Sequence, residues 1–440
     1  MQPFRAVVHQ LAMTFLAGRF DAPGLLSRGR ALLPRPKAWL PKLVQRLIAR
    51  FGEGQRPRRL KLIEFLKADR LLRLAWEKPS FDLESRISQP EFVSPNDHRA
   101  DWPVPRWSNI SELGDWLQLA PNELAWFADR KGLERFAAEG PLRHYRYRWF
   151  RKRGGEARLI ESPKSRLKQI QRRLLSELFE AIPVHPAAHG FRKGRSVRSY
   201  VTPHAGQVLV LRMDLQDFFP TIEPSRLTGL LMSLGYPEEV ARTLTAICSN
   251  RVPHDVWQTF PNRDHWEQRR RSELLLQRPH FPQGAPTSPA IANLCTYRLD
   301  CRLTGLAAWA GATYTRYADD LLFSGGPDFA KKAKRFHIYV AAIALEESFQ
   351  VNYHKTRIMT QSLQQRAAGI VLNEKPNVSR AEYDQLKAIL HQATLTGPVA
   401  QNRDQHPHFR NHLAGRIAYV SQWNPQRGEK LKRLFDKVVW

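Results

Sequence analysis

Apolar residues recur along this chain in changing rhythms, and the changes mark its organisation. Trp39, Leu40, Leu43, Val44, Leu47, Ile48 and Phe51 follow a helical period, while Lys42, Arg46 and Arg50 occupy another face. This predicts a basic amphipathic helix. Gly52 to Pro57 reads as a loop and Arg59–Trp76 as a second helix. Residues 79–110 lose the period and gather Pro, Ser, Asn and Asp, as a linker does. Helical patterns resume at Ser111, with Glu112 and Asp115, and at Pro121-Asn122-Glu123. Arg146 to Leu159 reads as two strands around a Gly154-Gly155 turn. Leu167 to Ile182 reads as an amphipathic helix ended by Pro183. Two nearly continuous apolar runs, Val208–Leu215 and Tyr314–Phe323, have the character of buried strands. Residues 380–440 return to helical patterns between short turns. The mixture predicts an α+β fold.

Charge narrows the picture. The 440 residues hold 69 Lys and Arg against 41 Asp and Glu, a formal net charge of +28. Such an excess repels itself in a compact state, and a polyanion relieves it by counterion release. Aromatics at 10% supply faces for stacking on bases. A nucleic-acid partner follows. Residues 1–80 alone hold 17 Lys and Arg against 5 Asp and Glu. Docking on a core or partner, direct nucleic-acid contact and membrane-surface binding all fit the basic helix among them. Cys248, Cys295 and Cys301 make no disulfide framework, and without a C-x-x-C a zinc site is not expected. They suit a reduced, cytoplasmic setting. No signal-peptide pattern is recognised at the N-terminus, and no stretch nears the ~20 apolar residues of a membrane helix.

The chemistry-bearing residues lie where carboxylates interrupt apolar runs. One cluster is Val210-Leu-Arg-Met-Asp214-Leu-Gln-Asp217-Phe218-Phe219; the other is Tyr317-Ala-Asp319-Asp320-Leu-Leu-Phe323. Buried carboxylates are costly unless neutralised. In a basic protein a divalent cation is the economical partner. Phosphoryl transfer uses two such ions, and three carboxylates from adjacent strands can hold both.

In these and neighbouring motifs the sequence resembles reverse transcriptases, within them the bacterial retron type, over roughly Leu113–Phe435. The resemblance is carried, in order, by Lys152-x5-Arg158-Leu-Ile, Leu167-Lys-Gln-Ile-Gln171, Ala188-His-Gly-Phe-Arg-Lys-Gly-Arg-Ser196 and Asp214-Leu-Gln-Asp-Phe-Phe-Pro220. Pro282-Gln-Gly-Ala-Pro-Thr-Ser-Pro289, Tyr314-Thr-Arg-Tyr-Ala-Asp-Asp320, Asn352-Tyr-His-Lys-Thr356 and Gly369-Ile-Val-Leu-Asn373 follow. It implies a right-hand polymerase: a basic helical extension and linker at 1–110, fingers at 111–205, a palm at 206–375 with a basic, aromatic insertion near 250–281, and a helical thumb at 376–440.

It also implies roles. Asp214, Asp319 and Asp320, with the Leu215 carbonyl, would hold two Mg2+ ions, with Mn2+ as a possible substitute. Lys355 would protonate pyrophosphate. Lys152 and Arg158 would grip the incoming deoxynucleoside triphosphate. Asp217, Phe218, Phe219, Gln283 and Gly284 would line its pocket, with Phe219 gating against a ribose 2′-hydroxyl. Arg192, Lys193, Arg195, His204, Tyr317, Gly369 and Ile370 would meet template or primer, the last two as a primer grip. Arg410, Arg416, Lys430 and Arg433 would recognise a stem-loop of a noncoding RNA that serves as template and primer for branched, RNA-linked DNA. Phage defence, with an effector protein, is the setting such enzymes imply. Two departures keep the subfamily open. Tyr200-Val201-Thr-Pro-His204 keeps only the histidine of an Asn-Ala-x-x-His element, and Ala367-Ala368-Gly369 replaces Val-Thr-Gly. Another bacterial defence-type or group II-like reverse transcriptase, or a catalytically silent RNA-binding protein, are the alternatives.

Overall fold

The computed structural model describes residues 3–84, 90–95, 97–151, 157–261 and 266–440. Lys152 and the Gly154-Gly155 turn lie outside them. The chain gathers into two compact units, Met1–Pro183 with Ile222–Ile291, and Val184–Thr221 with Ala292–Trp440.

The first unit begins with five helices: α1 (Phe4–Phe15), α2 (Ala22–Arg30), α3 (Trp39–Phe51), α4 (Arg59–Ala68) and α5 (Arg70–Trp76). They share a core. Leu40, Leu43, Val44 and Leu47 of α3 are buried in it with Val7, Leu11, Phe15, Leu62 and Leu66. Each such side chain contributes about 1.5–3 kcal/mol over an exposed one. The single helix expected over Arg59–Trp76 is broken at Asp69. That residue leaves the helical region and accepts a hydrogen bond from Leu72 N at 2.7 Å. Arg46 of α3 holds the same carboxylate at 2.7 and 2.8 Å. Residues 79–110, expected as a linker, are irregular but anchored. Val93 N donates to Gly235 O at 2.9 Å, Phe92 meets Tyr236 edge-on, and Trp107 is buried against Trp116 and Tyr236.

The expected hairpin forms from β1 (Tyr145–Arg151) and β2 (Ala157–Pro163), paired antiparallel in full register. Ala157 and Leu159 face a small core with Val252, Val256, Trp257, Phe260 and Leu276. The 250–281 segment therefore packs on the hairpin. Trp257 is a core residue, while Trp266 remains exposed.

The second unit is built on a four-stranded antiparallel sheet in the order β4-β5-β3-β6. These strands are β3 (Leu209–Asp214), β4 (Ala312–Tyr317), β5 (Asp320–Gly325) and β6 (Arg357–Thr360). Helices Tyr297–Ala310 and Pro327–Glu346 belong to this unit. A second, small sheet holds β7 (Arg366–Ala367), β8 (Ile370–Val371) and β9 (Asn377–Val378). Ala368 and Gly369 join β7 to β8 with φ of +46° and +85°, the backbone of a tight two-residue hairpin turn. Helices Arg380–Thr396, Phe409–Trp423 and Pro425–Phe435 complete the unit. They bury Leu386, Leu390, Leu413, Ile417, Val420 and Leu431 with Val210, Ile370 and Leu372.

Candidate active site

The two acidic clusters meet because β3 and β5 are neighbours. Their register pairs Asp214 with Asp320. Asp319 precedes β5 in the two-residue turn that joins it to β4, where Ala318 takes φ +55°. Leu215 N donates to Asp319 O at 2.8 Å, tying that turn to the end of β3. Asp214 and Asp320 are each only 8% exposed, and Asp319 is half-buried.

Electrostatics follow from that burial. Desolvation pushes the Asp320 carboxyl up to about 6, against the Arg212 guanidinium that pulls it down; Asp319 and Asp214 add to the rise. Arg212 Nε lies 2.8 and 2.9 Å from the Asp320 oxygens. Lys355, on the single turn Tyr353–Lys355, places Nζ 3.1 Å from Asp214 Oδ1. Among the described residues no three acidic or histidine groups already form a metal-binding set. The donor set nonetheless fits divalent cations. The crowded carboxylates concentrate negative charge, which Arg212 offsets at Asp320 and Lys355 at Asp214. Swinging either cation away would free oxygens for metal.

Arg212 escaped the sequence reading. Its signal was its place as the one charged residue besides Asp214 in the apolar run of β3. Two residues from Asp214, it shares a strand face with it.

The nucleotide-pocket candidates divide between the units. Asp217 is exposed, with φ +48°, and Phe219 is half-buried. Phe218 corrects the expectation: its ring is 3% exposed, stacked 5.7 Å from Phe349, so its side chain packs in the core. In the first unit Arg158 is exposed on β2. Gln283 is tied to that strand, its carbonyl accepting from Glu161 N at 2.9 Å. Gly284 has φ +131°, and a Cβ there would stand 2.8 Å from Glu161 O. The Glu161 side chain is fixed in turn by His280 Nε2 and Asn250 Nδ2, both at 2.8 Å.

The nucleic-acid candidates divide by exposure. Lys193 and Arg195 are exposed and Arg192 half-buried. Tyr317 is half-buried against Tyr200 and Phe191. Arg410, Lys430 and Arg433 are exposed on the C-terminal helices, the last paired with Glu429, and Arg416 is half-buried. Two expectations are overturned. His204 is wholly buried, its Nδ1 2.7 Å from Ser324 Oγ and its Nε2 2.8 Å from Thr315 Oγ1, so it braces β4 and β5 and cannot touch nucleic acid. Ile370 is also fully buried, among core residues, so of that pair only the half-buried Gly369 reaches the surface. Among the described residues no helix is long and apolar enough to cross a membrane, and all three cysteines are free thiols.

Comparison with known proteins agrees with the geometry. The family model of reverse transcriptases, RNA-dependent DNA polymerases, matches residues 150–383. The chain is 36% identical over 418 residues to the retron Mx65 reverse transcriptase of Myxococcus xanthus, covering 93% of this chain and 86% of that protein. It is 34% identical to the retron Mx162 reverse transcriptase of the same organism, over 72% of this chain and 64% of that protein. The retron Ec86 reverse transcriptase of Escherichia coli is 32% identical, over 56% of this chain and 70% of that protein. The α+β architecture is that of a right-hand polymerase, and enzymes of this class depend on metal. With its paired acidic strand ends and its likeness to these relatives across nearly its whole length, the chain belongs to the reverse transcriptases and is an RNA-directed DNA polymerase of the retron type.

Proposed function

We propose that the chain joins deoxynucleotides at Asp214, Asp319 and Asp320, copying part of a cognate noncoding RNA into single-stranded, RNA-linked DNA. The observation that carries this is the cross-strand pairing of Asp214 with Asp320, with Asp319 in the adjoining turn. Two divalent cations bound there, Mg2+ with Mn2+ as substitute, would lower the pKa of the priming hydroxyl and neutralise charge on the leaving pyrophosphate. The three carboxylates would supply the negative charge that this needs, and the Leu215 carbonyl a neutral oxygen ligand. Lys355, already beside Asp214, donates a proton to the leaving group. Lys152 and Arg158 take the triphosphate, stabilising charge as it develops. Phe219 stands under the sugar and rejects a 2′-hydroxyl by its bulk. Asp217, Gln283 and Gly284 line the pocket.

Arg192, Lys193, Arg195, Tyr317 and Gly369 seat template and primer. Arg410, Arg416, Lys430 and Arg433 read the RNA stem-loop, and the likeness to retron enzymes supports that partner. The setting we infer is cytoplasmic phage defence with an effector protein.

Magnesium-dependent primer extension on RNA tests the site. Wild type should incorporate deoxynucleotides and Asp319→Ala should lose about a hundred- to a thousandfold of that rate, the scale of a transition-state charge contact. Equal incorporation by both would overturn the assignment. Sequencing nucleic acid that copurifies from the native host tests the template: a branched RNA–DNA molecule is expected, and the absence of any discrete RNA sinks that part.

A further inference from the structure

Phe191 is a residue that none of these roles uses, although it stands inside the basic motif Ala188–Ser196. Its ring is 49% exposed. Its backbone takes φ +57°, a left-handed conformation that bulky side chains rarely adopt. Neither feature helps the chain fold. Such strain persists only where the surroundings enforce it.

The surroundings do enforce it. Asn293 Nδ2 donates to Gly190 O at 2.8 Å, and a Cβ on Gly190 would stand 2.7 Å from Ala318 N. His189 N donates to Arg316 O at 2.8 Å and Arg316 N to Ala187 O at 2.7 Å, an extra ladder beside β4. Arg316 itself is fully buried. Its guanidinium meets Asp300 at 2.8 and 2.7 Å, and reaches Asn293 Oδ1 and Ala318 O at 3.1 Å. One clamp thus holds both the turn that carries Asp319 and the segment that carries Phe191. It sets the Phe191 ring 6.1 Å from the rings of both Phe219 and Tyr317.

We propose that Phe191 is a nucleobase-stacking residue of the polymerase site, with Arg316 as the positioning residue that holds it there. A half-exposed ring beside the gate and the catalytic turn offers a flat apolar face to a base, and every base has a matching face. The base belongs to the template or to the incoming nucleotide. The proposal rests on the reading of Asp214, Asp319 and Asp320 as the reaction site.

The test uses the full chain on a defined RNA template with a DNA primer, and Phe191→Trp, Phe191→Leu and Phe191→Gly. Trp keeps the aromatic face and should stay within about twofold of wild type. Leu keeps the bulk without that face, and Gly relieves the strained φ. Both should lose about 5- to 150-fold, the factor that stacking one base is worth. A rise in KM for the deoxynucleotide, with template–primer Kd unchanged, assigns the incoming base. A rise in that Kd, measured without nucleotide, assigns the template base. The thermal midpoint separates binding from packing: Phe191→Gly should match or exceed wild type. Wild-type constants for Leu and Gly, or a fall in midpoint that parallels the lost affinity, overturns the proposal. Failure of the underlying site reads out differently, since wild type and Asp319→Ala then extend equally whatever stands at 191, and this proposal falls with it.

Discussion

Burial pushes the Glu134 carboxyl up to about 7, while hydrogen bonds from Tyr145 N and the Tyr147 hydroxyl pull it back. The folded pKa therefore lies above the unfolded one. Its contribution to stability is complete below the unfolded value and is lost as pH climbs through about 7. Glu134→Gln keeps an acceptor at the same place and cannot ionise. Its thermal midpoint should equal that of wild type at about pH 4 and exceed it at about pH 8. Identical midpoints at the higher pH would sink the assignment. Gly284 makes a second residue-scale case. Ala there meets both the strained φ of +131° and the Glu161 carbonyl. Gly284→Ala should lose about 1–3 kcal/mol of stability. If Gly284 lines the nucleotide pocket, KM for the deoxynucleotide should rise as well; a variant unchanged in both would remove Gly284 from the site.

At the scale of elements, the hairpin β4–β5 depends on an ion pair shut away from solvent. Arg316 and Asp300 are both fully buried. Removing one partner of such a pair costs about 3–5 kcal/mol, because the other charge is stranded, whereas replacing both by apolar residues is often neutral. Arg316→Met should therefore lower the thermal midpoint sharply, and adding Asp300→Leu should restore much of it. A double variant no more stable than the single one would show that the pair is not what Arg316 contributes. The same hairpin shows what a sequence reveals and what it hides. Apolar runs broken by carboxylates located β3 and the Tyr314–Phe323 run, because a buried strand has few other reasons to carry Asp; that second run folds as two strands, β4 and β5, around Ala318 and Asp319. The partners of those carboxylates were hidden. Arg212 reaches Asp320, and Arg316 reaches Asp300, through strand register and helix packing, which no spacing along the chain encodes. Motif likeness located His204 and Ile370 but not their exposure, and both turned out to brace the fold. Asp69 hid in an unbroken apolar period, since a cap that restarts a helix within one residue leaves the spacing almost intact.

For the whole molecule the governing quantity is the charge of +28, which makes affinity for RNA a function of salt. Each phosphate contact to a single strand contributes about 0.7 to the slope of log affinity against log salt. If Arg410, Lys430 and Arg433 each meet a phosphate, replacing all three by Ala should lower that slope by about 2. All three are exposed on the C-terminal helices, so their replacement should leave the thermal midpoint unchanged. A matching variant in α3, Lys42→Ala with Arg50→Ala, asks the same of the basic N-terminal helices, whose apolar faces are already used in their own core. A drop of about 1.4 assigns those cations to RNA. No drop, with affinity intact, assigns the N-terminal charge to another surface and leaves recognition of the RNA to the C-terminal helices.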